Sequence, residues 1–112
     1  LMLKMKKNKL TYAIDIDGLL CNDMLGEYEL SVPDFESIEK VNNLYKAGHY
    51  IKIFTGRGSA TGIDWREFTI NQLKSWGVNY HELILGKPVC DIIVDDKAIS
   101  LREWKNGRTV LR

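Results

Sequence analysis

Asp15 and Asp17 stand two residues apart in Asp15-Ile16-Asp17-Gly18, at the end of an apolar run and just before a glycine turn. Side chains alternate along a strand, so extended backbone as far as Asp17 would send both carboxylates the same way. Two like charges this close repel, and burial makes the repulsion worse. Such a pair needs a metal ion, a shared proton or a cationic neighbour. A calcium loop or a surface turn can also carry Asp-x-Asp-Gly, so the pair by itself leaves its chemistry open.

Three further groups narrow it. Thr55-Gly56-Arg57-Gly58, Gly86-Lys87-Pro88 and Asp95-Asp96 each follow a short apolar run, as the first pair does. Together they suggest phosphoryl transfer. A carboxylate is a competent nucleophile toward phosphorus and forms an acyl phosphate. Phosphate would be repelled by carboxylates alone, so the site needs positive charge. Magnesium prefers oxygen ligands, and Asp15, Asp95 and a backbone carbonyl near Asp17 would suit it. Lys87 can balance the remaining negative charge. The Thr55 hydroxyl, the backbone at Gly56 and Arg57 can donate to phosphoryl oxygens. Asp17 would protonate the leaving oxygen and then deprotonate the hydrolytic water.

The elements that must position these residues read as strands alternating with helices. Leu10–Ile16, Tyr50–Phe54, Leu83–Leu85 and Ile92–Val94 predict four strands. One helix is predicted from near Phe35 to Lys46, started by Pro33 and Asp34 and stopped by Gly48. Its apolar stripe is Phe35, Ile38, Val41 and Tyr45, with Leu44 beside them. A second is predicted over about Asp64 to Trp76, with Trp65, Phe68, Leu73 and Trp76 inward, and a third over about Ala98 to Lys105. Thr109 to Leu111 could add a short strand. The fold class is therefore α/β: a single Rossmann-like core, its sheet mostly parallel, with helices on both faces. In such sheets ligands bind beyond the carboxyl ends of the strands, where all four groups fall.

Bulk properties suit this reading. The chain has 112 residues, is 45% hydrophobic and carries a formal net charge of +1. It predicts one compact domain, residues 10–112, behind a basic arm at residues 1–9 that contains Lys4, Lys6, Lys7 and Lys9. The near-neutral charge argues against nucleic acid as a partner. No apolar run reaches the roughly 20 residues of a membrane span, and the start lacks the apolar stretch of a signal peptide. Cys21 and Cys90 form no metal-type pair. They are expected to be reduced thiols in a cytoplasmic protein, Cys90 the more buried.

The order of Asp15-Ile16-Asp17-Gly18, Thr55-Gly56-Arg57, Gly86-Lys87-Pro88 and Ile93-Val94-Asp95-Asp96 resembles the four motifs of the haloacid dehalogenase (HAD) superfamily of phosphatases, over essentially residues 10–105. More narrowly, the chain is similar to the small HAD phosphatases found with capsule-polysaccharide biosynthesis. The resemblance implies that Asp15 is the nucleophile, Asp17 the general acid/base, Thr55 the motif-two hydroxyl and Lys87 the motif-three cation. It implies Asp95 as a magnesium ligand and Asp96 as a second ligand or a partner of the metal's waters. Arg57 fits a phosphate or substrate contact. His81 reads as a packing or turn residue.

Two positions depart from the pattern. Leu19 stands where Thr is usual and removes a hydroxyl that could brace the turn. Gly86–Asp91 leaves only six residues between the third and fourth expected strands. Leu19–Pro33 is long enough for a small flap but not a cap domain, so the enzyme is expected to be capless and open, with Met24 and Tyr28 near the entrance. An exposed Trp65 or Trp104 would favour a homo-oligomer. The expected function is magnesium-dependent hydrolysis of a small phosphorylated sugar or polyol in surface-polysaccharide metabolism. The alternatives are a nucleic-acid 3′-end phosphatase and a non-catalytic phosphate- or partner-binding module.

Overall fold

The computed structural model describes residues 9–107. The basic residues Lys4, Lys6 and Lys7 and the expected strand at Thr109–Leu111 lie outside them. Among the described residues the sheet has three parallel strands in the order β1 (Thr11–Asp15), β2 (Tyr50–Thr55) and β3 (Glu82–Leu85). Asp15 is paired with Phe54, and Thr55 with Leu85, so the carboxyl ends of the strands lie level. Helices α1 (Phe35–Lys46), α2 (Arg66–Ser75) and α3 (Leu101–Lys105) follow the strands, and a short 3-10 turn covers Tyr28–Leu30. Among the described residues there is no cap domain: residues 19–33 form a flap of turns.

Asp34 starts α1 by accepting the Ser37 N–H at 3.2 Å. Ile38 and Val41 from α1 and Leu73 from α2 join Ile14, Ile51 and Ile53 in one buried cluster. Phe35 is 63% exposed and does not join the stripe. Side chains on a helix lean toward its N-terminus, so the first residue overhangs the end rather than the sheet. α3 is only five residues long, too short to persist alone. A Ser100–Glu103 capping box holds its start. Lys40 of α1 donates to the carbonyls of Trp104 and Lys105 at its end, at 2.6 and 3.1 Å. Trp104 is buried and donates its indole N–H to Ser37 Oγ at 3.2 Å.

Two features differ from the sequence expectation. The fourth strand is absent: Ile92–Val94 is irregular, and all three residues are exposed. A parallel neighbour requires the chain to return along the whole sheet, and six residues reach at most about 20 Å. Residues 86–100 therefore form no strand. The second difference is in the layers. Both crossover helices lie on the face that carries Ile14, Ile51 and Ile53, as right-handed β-α-β units in strand order 1-2-3 require. On the opposite face Thr11, Ala13, Tyr50 and Ile84 are exposed, so among the described residues the helical layer covers one face rather than both.

His81 behaves as the packing residue expected. Its Nδ1 accepts the Ile51 N–H at 2.9 Å, and its ring stacks on Tyr45 and Tyr50. His49 does the same for Leu10 at 3.0 Å.

Candidate active site

The chain leaves β1 at Asp15 and turns sharply. The N–H groups of Leu19 and Leu20 both reach the Ile16 carbonyl, and Gly18 N–H bonds the Cys21 carbonyl at 2.9 Å. Gly18 takes a φ of 91°, which an L side chain rarely adopts. Leu19 packs its side chain against the core. The turn is thus closed by its own backbone, without the hydroxyl that Leu19 lacks. Ile16 is buried, and Asp15 and Asp17 on either side of it face one cavity of about 630 Å³.

Asp15 and Asp17 each have a cation of their own in that cavity. Asp15 Oδ2 lies 2.8 Å from Lys87 Nζ, and its Oδ1 accepts the Ile16 N–H at 2.9 Å. The two carboxylates are therefore neutralised separately, which removes the repulsion anticipated between them. Asp17 is gripped in bidentate fashion by Arg57: Nη2 to Oδ1 at 2.9 Å and Nε to Oδ2 at 3.0 Å. The Arg57 side chain is fully buried. It is therefore a partner of Asp17 and not the free phosphate contact anticipated for it.

The ends of β2 and β3 deliver the cations. Gly86 and Lys87 both donate their N–H to the Thr55 carbonyl at 3.1 Å, and Ser59 Oγ donates to the Lys87 carbonyl at 3.0 Å. Lys87 Nζ also lies 5.3 Å from the centre of the Phe54 ring. Thr55 is completely buried, and its Oγ1 accepts the Arg57 N–H at 3.1 Å. Its hydroxyl braces the turn that launches Arg57, beneath the cavity rather than on its wall. Gly56 and Arg57 do line the cavity. Gly58 has a φ of 83°, and a Cβ there would lie 2.2 Å from the Ile63 carbonyl oxygen, so no other residue fits.

Asp95 and Asp96 are not drawn in. Both are exposed; Asp95 Oδ1 accepts the Lys97 N–H at 2.6 Å, and Asp96 pairs loosely with Lys97 at 3.7 Å. Asp95 borders a second cavity, beside β1, that also touches Asp15 and Asp17. The donors are of the type magnesium prefers, but among the described residues no three carboxylate, histidine or cysteine side chains gather round one point. Asp95 and Asp96 therefore stand apart from Asp15 and Asp17, because the strand that would have carried Asp95 to the sheet edge is not formed.

Other residues complete the wall. Tyr28 lines the cavity as expected, whereas Met24 does not. Burial, and then the charge of Asp17, raise the Tyr28 hydroxyl pKa above its usual value. Asp23, Cys90 and Asp91 also line it. Cys90 is exposed, and Cys21 is the buried thiol, the reverse of the expectation. Cys21 Sγ donates to Asp17 Oδ1 at 3.6 Å, and burial, with the nearby Asp17 charge, pushes its pKa up to about 11. Trp65 is half-buried against Tyr28 and Phe68, and Trp104 is buried, so neither is the exposed anchor that would favour an oligomer. Sequence reasoning missed Gln72 and Thr69, which hold Arg57 from α2; as polar residues in an amphipathic helix they carry no signal of their own.

No family model and no curated protein matches this chain. Among solved structures, the chain is similar to the crystal structure of a structural-genomics target from Vibrio cholerae. The identity is 25% and the TM-score 0.79, over 88% of this chain and 89% of that one. No helix among the described residues is long and apolar enough to cross a membrane. The likeness supports a single Rossmann-like α/β core, which among the described residues carries no cap.

Proposed function

We propose that this chain is a phosphomonoester hydrolase of HAD type, acting on a small phosphorylated sugar or polyol, with surface-polysaccharide metabolism as its setting. One observation carries the reading. Asp15 stands beside Lys87 on a cavity that also takes in Asp17 with its own cation. That is a nucleophile, an acid/base and a charge for the phosphoryl group, each kept separate.

In this mechanism an Asp15 oxygen attacks phosphorus as the ester P–O bond breaks, leaving an acyl phosphate on Asp15. Asp17 enters the step protonated and passes that proton to the departing alkoxide. It then takes one from a water that attacks the same phosphorus, which frees Asp15 and inorganic phosphate. Lys87 shifts from Asp15 toward the phosphoryl oxygens as charge moves onto them. Small substrates are favoured over nucleic acid because Asp23 and Asp91 line the cavity with no cation at ion-pair distance among the described residues. A polyanion would meet them unfavourably. The expected magnesium dependence rests on donor type alone, and no step here is routed through the ion.

The test is a turnover screen over sugar, polyol and nucleotide monophosphates and a 3′-phosphorylated oligonucleotide, with and without magnesium. A small monophosphate should be the best substrate. Asp15→Asn should keep the fold and lose activity by at least about a thousandfold. Near-normal activity in the rigorously purified variant would sink the mechanism.

A further inference from the structure

The buried guanidinium of Arg57 does more than neutralise Asp17. Its Nη1 donates to Gln72 Oε1 at 2.8 Å and to Thr69 Oγ1 at 3.2 Å, and its Cζ lies 4.4 Å from the centre of the Tyr28 ring. The other end of Gln72 donates from Nε2 to the Tyr28 carbonyl at 2.8 Å. Arg57, Gln72 and Tyr28 therefore close a ring of contacts. Tyr28 belongs to the flap, and Trp65, at the start of α2, sets its edge against the same ring at 4.8 Å. The ring joins three segments far apart in the chain to one carboxylate.

The planar fork of an arginine fixes both the position and the plane of a carboxylate that it grips in bidentate fashion. Four hydrogen bonds and an aromatic face hold this fork in turn. We infer that Arg57 is a positioning residue: it sets Asp17 for proton transfer and, through Gln72 and Tyr28, ties that setting to the seating of the flap. The inference rests on the phosphatase reading above. It differs from a phosphate-binding role because the guanidinium is already occupied. It differs from a purely structural role because the residue it holds is the proton carrier.

Leaving-group dependence separates these roles. An alkyl ester needs a proton on its departing oxygen, whereas a p-nitrophenolate leaves without one. Wild type, Asp17→Asn, Arg57→Lys and Gln72→Leu are compared on glycerol 3-phosphate and p-nitrophenyl phosphate, with circular dichroism and melting to check the fold. For Arg57→Lys, kcat/KM is expected to fall on the order of 100-fold for the alkyl ester and less than about 10-fold for the aryl ester, in kcat rather than KM. Asp17→Asn should show the same bias, and Gln72→Leu a smaller one of about 10-fold against about 2-fold.

Equal losses on both esters, or a rise in KM alone, would overturn the inference for Arg57. An unbiased Asp17→Asn would overturn it as well. An unbiased Gln72→Leu would overturn the link to the flap. Should Arg57→Lys fail to fold, Gln72→Leu, which leaves the ion pair in place, decides by the same criterion. If the wild type hydrolyses neither ester, the phosphatase reading itself has failed and the inference falls with it.

Discussion

Lys87 Nζ stands 2.8 Å from Asp15 Oδ2, across 72 positions of sequence. The pair is held from both sides. Asp15 ends a strand, and Lys87 is docked through its own backbone N–H to the carbonyl that ends the next one. Both side chains are partly exposed, so the pair is accessible from the cavity and contributes little to stability.

Removing the lysine should therefore affect activity far more than folding. Lys87→Ala is expected to lower kcat/KM by about 100- to 1,000-fold, the scale of losing one charge-stabilising donor. It should cost no more than about 1 kcal/mol of stability. Steady-state kinetics and urea unfolding on the same preparation check both. A loss of several kcal/mol would make Lys87 a structural residue.

The two thiols should differ in reactivity. Cys90 is exposed and Cys21 is buried with its pKa raised to about 11. At pH 8 one thiol per chain should react rapidly with a disulfide reagent, and peptide mapping should find it at Cys90. Cys21 should react only on unfolding. The raised pKa also has a consequence for stability. The folded state holds this proton more tightly than the unfolded chain, so stability is complete below the ordinary pKa of 9.0 and falls as pH rises toward 11. Cys21→Ala should flatten that part of the stability profile relative to wild type.

Trp104 fastens α3 to the rest of the core. Trp104→Ala should cost about 3–5 kcal/mol, as large aromatic deletions in cores do. Ser37→Ala should cost about 1 kcal/mol, because it leaves the buried indole N–H without its acceptor. Urea unfolding of the two variants measures the difference, and equal costs would contradict this account of the contact.

Gly58 tests the turn that launches Arg57. Gly58→Ala places a methyl against the Ile63 carbonyl and forces a positive φ on a residue with a side chain. The strain alone is about 1–3 kcal/mol. Thermal or urea unfolding should register at least that loss. Wild-type stability in the variant would mean that the 56–63 turn is not as described.

Much of the core was legible because its signals are local. The Asp34 cap and the 3.6-residue stripe of Ile38 and Val41 set α1, and its predicted bounds, Phe35 to Lys46, match those observed. Apolar runs marked β1, β2 and β3 to within a residue or two. Ile92–Val94 carries the same local signal and yet forms no strand. Its fate depended on whether six residues could return it along the sheet, and run composition does not encode that.

The chain's residue order placed Asp15, Asp17, Gly56, Arg57 and Lys87 at the ends of strands, and parallel pairing in register then brought them to one edge. Tertiary structure alone decided which charge meets which. It gave Lys87 to Asp15 and Arg57 to Asp17, buried Thr55 beneath the site, and left Asp95 and Asp96 in solvent. The physical reason is range. Strand and cap preferences act over a few residues, whereas an ion pair is chosen by distances that exist only after the strands have paired and the turns have closed.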